Sequence, residues 1–218
     1  MTAKVRIDYV SDVACPWCAI GLHSLEKALE RTRGVVDADV TFQPFELNPD
    51  MPPEGQNVDE HLAAKYGMSL QQLAAGRAPL RERAAALGFD FNQSERSRMY
   101  NTFDAHRLLH WAKTEGRQLE LKLALFKANF SDDVNVSDRE ELARIAESVG
   151  LDGAEARAVL GSDRYAKDVR DAERLWTSRG IQGVPGIVLN EKYLISGGQP
   201  PEVFEQALRK IADEAASA

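Results

Sequence analysis

Hydrophobic positions recur along this chain with two periods, and the switches between them lay out its elements. Alternation over Val5–Val10 predicts a strand, and the helical spacing of Ile20, Leu22, Leu25, Ala28 and Leu29 predicts an amphipathic helix over Trp17–Arg33, stopped at Gly34. Asp39–Leu47 alternates again, with Val40, Phe42 and Phe45 as its apolar members, and the cluster Asn48-Pro49-Asp50-Met51-Pro52-Pro53 ends that strand. Residues 1–53 therefore read as a βαβ unit. From about Val58 to Arg179 the pattern is helical almost throughout, broken by Gly67, Gly76, Gly88, Gly116, Gly150 and Gly161. Ser137-Asp138-Arg139-Glu140 and Asp152-Gly153-Ala154-Glu155 resemble capping boxes, while Gly150 and Gly180 suit helix C-termini. Ile187-Val188-Leu189 and Tyr193-Leu194-Ile195 then form a hairpin about Asn190-Glu191-Lys192, and Pro201 opens a last helix carrying Val203, Phe204, Ala207, Leu208 and Ile211 inward. The order βαβ, helices, ββα predicts an α/β fold with one mixed sheet. Residues 1–53 and 181–218 build that sheet, and residues 54–180 are a helical insertion acting as a lid.

Composition narrows the function. The 218 residues are 44% hydrophobic, enough for a real core, and 27 basic against 34 acidic side chains give a net charge of −7. That balance argues against duplex nucleic acid or an anionic membrane surface as partner, since both demand basic footprints. No run approaches the ~18 consecutive apolar residues that span a bilayer. Met1–Lys4 leads straight into the first strand with no apolar leader segment, so a cytoplasmic location is expected.

Only two cysteines occur, Cys15 and Cys18, in one Cys-Pro-Trp-Cys tetrapeptide at the first strand-to-helix junction. Three residues apart, they fall within one helical turn and can bond to each other without large backbone motion. Pro16 is tolerated there because the amide it lacks has no intrahelical partner, so the helix can begin at the motif. Cys15 then faces unpaired amides and the positive end of the helix dipole, which favour thiolate over thiol, and a depressed Cys15 pKa is expected. Cys15 is the candidate attacking thiol and Cys18, deeper in the helix, the candidate resolving thiol. A structural disulfide fits poorly with a reducing compartment, and a structural zinc site would need four ligands where the chain offers one Cys pair and four scattered histidines. Trp17 is hard to bury while its neighbour stays accessible, so it reads as a substrate contact.

A distant element bears on the same site. Gly183-Val184-Pro185 precedes the third strand, where proline excludes ordinary central ladder pairing and suits a tight turn with a cis bond. Such a turn would aim the Val184 backbone at the dithiol and leave it available to an extended substrate.

The strand, the Cys15-Pro16-Trp17-Cys18 motif, the helical insertion and Gly183-Val184-Pro185 before a hairpin together resemble the DsbA-like branch of the thioredoxin superfamily over nearly the whole chain. More narrowly, Ser11–Gly21, Pro44–Pro49, Asn101–Leu108 and Ile195–Gln199 look like the FrnE subgroup of cytoplasmic dithiol oxidoreductases or isomerases. The resemblance implies a thioredoxin fold, catalysis by Cys15 and Cys18, a cis Pro185, and substrate contacts at Pro16, Trp17 and Val184. It implies disulfide-bearing proteins or small molecules as substrates, with no resident cofactor or metal, and glutathione or a thioredoxin-type reductant as redox partner. Two departures stand out. DsbA has His where this chain has Trp17, and without that imidazolium the expected potential falls between about −270 mV and about −120 mV. Gly186 follows the proline where relatives often carry a larger residue.

The rival readings are a glutathione-dependent isomerase or transferase, of the 2-hydroxychromene-2-carboxylate isomerase or kappa-class type, and a chaperone-like peptide-binding module. The isomerase branch typically has serine where this chain has Cys15. Asp12 reads as a loop cap or as a proton relay for Cys18. Glu46 reads as a surface strand residue or a second relay. His106 and His110 share a helix face without the carboxylate of a zinc motif, and so read as packing residues.

Overall fold

The computed structural model describes residues 2–52 and 54–217; Met1, Ala218 and Pro53, the last member of the turn cluster, lie outside it. Four strands form the main sheet: β1 (Ala3–Ser11), β2 (Val36–Pro44), β5 (Gly186–Leu189) and β6 (Tyr193–Ser196), in the order β2-β1-β5-β6. β1 runs parallel to β2, from Ala3 opposite Val36 to Ser11 opposite Pro44, and antiparallel to β5, which closes a hairpin with β6. The parallel pair needs a crossover, supplied by the helix α1 (Pro16–Arg31). β1 is central and its residues from Ile7 onward are buried, as a strand covered on both faces must be.

Between β2 and β5 lie α2 (Val58–Tyr66), α3 (Leu70–Ala86), α4 (Phe103–Thr114), α5 (Gln118–Phe130), α6 (Arg139–Ser148), α7 (Gly153–Leu160) and α8 (Ala166–Ser178). A two-stranded ladder, β3 (Gln56–Asn57) with β4 (Arg98–Met99), closes the loop that carries α2 and α3. The C-terminal helix α9 (Pro201–Ala216) packs on α1 and β1, while α4, α5 and α8 approach β2. Two large clusters dominate the core, beside two small ones. The first large cluster joins the sheet, α1 and α9 and includes both cysteines; the second lies among the inserted helices around Leu108, Leu121, Leu142 and Val159. Arg107 ties the second cluster together by donating to the carbonyls of Val159, Ser162 and Arg164 and to Asp104.

Several local expectations shift. β2 starts and ends three residues earlier than its alternation suggests, because it follows β1 pair by pair and the chain then turns so that the Leu47 amide reaches Asp12. Gly76 lies inside α3 and does not break it; its face is open, so nothing there demands a turn. The cap of α6 is Asp138, which accepts from the Glu140 and Glu141 amides, rather than Ser137 one residue earlier. Asp152 caps α7 as expected, and Gly150 takes a left-handed φ of 83°. The β3–β4 ladder has two residues per strand, too short to show a period.

Candidate active site

α1 begins at Pro16, with Cys15 as its extended N-cap residue at φ −98°, ψ 112° and no side-chain cap. The Cys15 amide donates to the Asp12 carbonyl at 3.2 Å, and the amides of Cys18 and Ala19 donate back to the Cys15 carbonyl at 3.0 and 3.3 Å. The tetrapeptide thus is the first helical turn, and the Cys15 sulfur stands at the helix's positive end. Both cysteines are free thiols. Cys15 is only 4% exposed and Cys18 is fully buried. Cys15 reaches the outside through a cleft of about 600 Å³ that it lines with Pro16, Trp17 and Val184 on one side and α2 and α3 on the other. Trp17, 41% exposed, forms the rim, with the Arg83 guanidinium 5.4 Å from its ring centroid.

The peptide between Val184 and Pro185 is cis, and the Cys15 thiol donates to the Val184 carbonyl at 3.7 Å. The residues proposed for catalysis and substrate contact, Cys15, Pro16, Trp17, Cys18, Val184 and Pro185, therefore meet at one place, although 169 positions separate Cys15 from Val184. Beneath them Tyr9 donates to the Cys18 carbonyl at 2.8 Å. Burial pushes the Cys18 thiol well above its ordinary range, reinforced by the Cys15 sulfur beside it and opposed by Lys122 and the Asp12 amide. Burial also raises the Tyr9 phenol.

The four separated motifs converge on this turn. Asp12, buried, accepts from the Ala14 amide (3.2 Å), the Leu47 amide (2.7 Å) and the Thr102 hydroxyl (2.7 Å), with His106 Nε2 at 3.5 Å. Burial alone would raise its carboxyl; His106, Leu47 and Thr102 overcome that and hold it below the usual range. Asp12 is therefore the carboxylate hub that fixes the loop before Cys15, and its ionised form is satisfied by donors. The fourth motif supplies Gly198, whose backbone lies against Trp17 and Gly21, and Gly197, whose amide donates to the Pro185 carbonyl at 2.9 Å. A Cβ on Gly198 would stand 2.7 Å from the Trp17 carbonyl and one on Gly21 2.6 Å from the Tyr9 hydroxyl. Gly21→Ala, which improves helix propensity by up to about 1 kcal/mol in the open, is expected here to destabilise by about 1–3 kcal/mol through overpacking, as read by denaturant midpoint. A neutral or stabilising change would show that Tyr9 moves freely.

Other candidates resolve differently. Glu46 is not a surface residue: its side chain is 2% exposed because Arg170 and Glu173 of α8 fold over it, with Arg170 bonded to both. Burial and the Glu173 charge raise its carboxyl to about 7 against the pull of Arg170. His110 lies tilted against Tyr165, ring centroids 5.1 Å apart, while His106 turns to Asp12, so the pair does not converge on a common ligand position. His23 is half-buried, 3.1 Å from Glu26 and stacked on Phe89 at 4.9 Å.

Sequence reasoning missed Lys122. It sits on the buried face of α5 with Gln118, Leu121, Leu125 and Phe126, is 0% exposed, and its Nζ has no hydrogen-bond partner among the described residues. The signal was present, since positions 118, 121, 122, 125 and 126 follow helical core spacing and place a lysine inside it.

Comparison with known proteins agrees with this geometry. Residues 6–209 match the DSBA-like thioredoxin domain. The protein YwbO of Bacillus subtilis (strain 168), itself uncharacterised, is 30% identical over 96% of this chain and 97% of its own length. The crystal structure of a probable DsbA oxidoreductase from Streptomyces coelicolor shares 42% identity, covers 96% of this chain and 91% of that one, and superposes with a TM-score of 0.91. The cytosolic disulfide reductase DsbM from Pseudomonas aeruginosa, solved with glutathione, shares the fold at 18% identity and a TM-score of 0.63, over 94% of this chain and 98% of that one. The chain belongs to the DSBA-like thioredoxin domain family.

Proposed function

We propose that this protein is a thiol-disulfide oxidoreductase with isomerase capacity, exchanging disulfides through Cys15 and Cys18. The observation that carries the reading is the pairing of a sulfur at a helix start, on the wall of a 600 Å³ cleft, with a second, fully buried thiol one turn deeper. In the reducing direction the Cys15 thiolate attacks one sulfur of a substrate disulfide. The substrate S–S bond breaks, a Cys15–substrate disulfide forms, and the first substrate thiol leaves. Cys18 then gives up its proton and attacks the Cys15 sulfur, forming the Cys15–Cys18 disulfide and releasing the second thiol. Two electrons pass from the dithiol to the substrate, and no resident cofactor or metal is needed. The reverse sequence oxidises. If a substrate thiol resolves the mixed disulfide instead of Cys18, the result is isomerisation.

The Val184 carbonyl beside Cys15 supports an extended substrate segment as occupant, because an available backbone acceptor can pair with a chain laid across it. Pro16, Trp17 and Val184 are its proposed contacts, within a cleft whose further wall includes Leu62, Tyr66, Met68 and Leu73. The substrates are thus disulfides flanked by apolar groups, and glutathione or a thioredoxin-type protein is the proposed recycling partner. The setting proposed is the cytoplasm; the described residues contain no helix long and apolar enough to cross a membrane. Trp17→Ala is expected to raise KM for a peptide disulfide about tenfold, as for loss of an aromatic anchor worth ~1–2 kcal/mol, with kcat within about threefold; equal KM values would remove Trp17 from the substrate surface.

The direct test uses the Cys18→Ser protein and a disulfide-linked peptide. A covalent peptide adduct mapping to Cys15 is expected to accumulate, because its resolving thiol is gone. Absence of any adduct under conditions where free glutathione reacts would refute the proposal.

A further inference from the structure

Arg83 has no role in the exchange as written above, although it stands at the rim a substrate must cross. It lies on α3, flanked by Leu80, Ala84 and Leu87, which join the core around α1. Arg83 itself is half-buried; its Nη2 donates to the Gly198 carbonyl at 2.7 Å, and its guanidinium stands 5.4 Å from the centroid of the Trp17 ring. The Gly198 backbone bears on the same indole, since a Cβ built on it would lie 3.3 Å from Trp17 Cε3. Two contacts from separate elements thus hold the cation at the edge of the cleft.

What this guanidinium lacks is an anion. No acidic residue stands three or four places from it on α3, where Pro79, Leu80, Ala86 and Leu87 occupy those positions. Among the described residues its other N–H groups have no acceptor and no carboxylate pairs with it. The cleft supplies none either. Asp59 is the only acid among the residues that line it, and Arg77 is bonded to that carboxylate. Lys65, on the α2 wall, donates to the Leu47 carbonyl and to Asn48 Oδ1 at 2.8 and 2.7 Å, both neutral acceptors. His61 Nε2 lies 2.9 Å from the same Asn48 oxygen. The approach to the Cys15 sulfur is therefore cationic in a chain whose net charge is −7.

We propose that Arg83 is a specificity-determining residue that selects disulfides carrying an acidic side chain close to the reactive cysteine. The inference rests on the exchange reaction proposed above and names a substrate class for the same cleft. A substrate segment lying on Trp17 with its sulfur at Cys15 passes the guanidinium. A Glu or Asp carboxylate on that segment can accept from the N–H groups that Gly198 leaves free. Arginine suits this use, because its fork of donors matches a carboxylate and its planar face, against an aromatic ring, is weakly hydrated. Gly198 and Trp17 already fix the side chain, so little rotamer freedom is lost when the carboxylate arrives. Lysine here would keep the charge and lose the fork. The apolar wall of Leu62, Tyr66 and Leu73 takes the uncharged side chains, so the two surfaces read different positions of one substrate.

The test uses the full-length protein and disulfide-linked peptides that differ at a single position, Glu against Gln, scanned through the neighbours of the reactive cysteine on both sides. At about 0.02 M salt the wild type should favour Glu at one or more positions by at least about fivefold in kcat/KM, carried by KM, as for a charge contact worth about 1 kcal/mol. The preference should shrink to about twofold or less at about 0.5 M salt, where exposed charges are screened. In Arg83→Met it should fall to about twofold or less at low salt, and Arg83→Lys must lie between the two. Each preference is a ratio within one protein sample, so differences in folded fraction cancel. A wild type that treats Glu and Gln peptides alike at every position, or a preference that survives in Arg83→Met, overturns the role of Arg83. A wild type that turns over none of the peptides overturns the exchange reading on which this inference rests.

Discussion

Cys15→Ser lowers the turnover of a peptide disulfide by at least about a thousandfold while leaving folding stability within about 1 kcal/mol of wild type. The loss is chemical. A serine hydroxyl at the start of α1 does not ionise near neutrality and cannot form the mixed disulfide on which the second step acts. The structural change is slight, since serine is close to cysteine in size and its hydroxyl can also donate to the Val184 carbonyl that the Cys15 thiol reaches. Cys18→Ser has a different signature. Attack survives, so a first-step adduct forms, but release fails and turnover falls comparably. Rates on peptide disulfides, with circular dichroism to monitor folding, check both variants. Cys15→Ser turnover within tenfold of wild type would mean that another group performs the attack.

Lys122→Met stabilises the protein by about 3 kcal/mol at pH 7. A lysine that holds its proton to about 8 in the fold and to 10.5 when unfolded carries a difference of 10.5 − 8 = 2.5, and at about 1.36 kcal/mol for each unit the ammonium form opposes folding by that amount. The group is fully buried, so solvent does not screen the effect. The folded-state value is depressed, so the unfolded chain binds more protons between pH 8 and 10.5 and wild-type stability rises with pH across that window. The advantage of methionine is therefore constant below pH 8 and shrinks to near zero by pH 10.5. Methionine fills the same apolar space between Phe42 and Phe126 without a charge, the kind of exchange that is neutral or stabilising in other cores. Denaturant melts at pH 7 and pH 10 measure it. A variant less stable than wild type at pH 7 would show that Lys122 is held by an interaction stronger than its desolvation.

Much of this molecule was legible in the chain. The strand-helix-strand opening, the inserted helices and the closing hairpin with its helix follow from periodicity, and the Cys-Pro-Trp-Cys motif announces its own helix start through Pro16. Pairing of Cys15 with Val184 and Pro185 was legible only through the resemblance and the unusual placement of a proline before a central strand. What stayed hidden depends on tertiary contact. Glu46 lies just past the end of its strand, and nothing local shows that Arg170 and Glu173, more than 120 positions later, will cover it. Asp12 caps its own loop through the Ala14 amide, as its sequence suggests, but two further donors come from Leu47 and Thr102, so its role as a hub appears only when three motifs meet. Lys122 was the readable omission: helical spacing put it inside, and the usual expectation that lysine faces solvent masked the pattern.

The most direct test of the dithiol chemistry equilibrates the protein in graded reduced and oxidised glutathione, quenches with acid, alkylates, and reads Cys15 and Cys18 by mass spectrometry. Reversible formation of one intramolecular Cys15–Cys18 disulfide, with a two-electron midpoint between about −270 and about −120 mV, is the expected result. Two thiols that stay independently alkylatable across that whole range, or a bond that forms and then resists reduction, would contradict it.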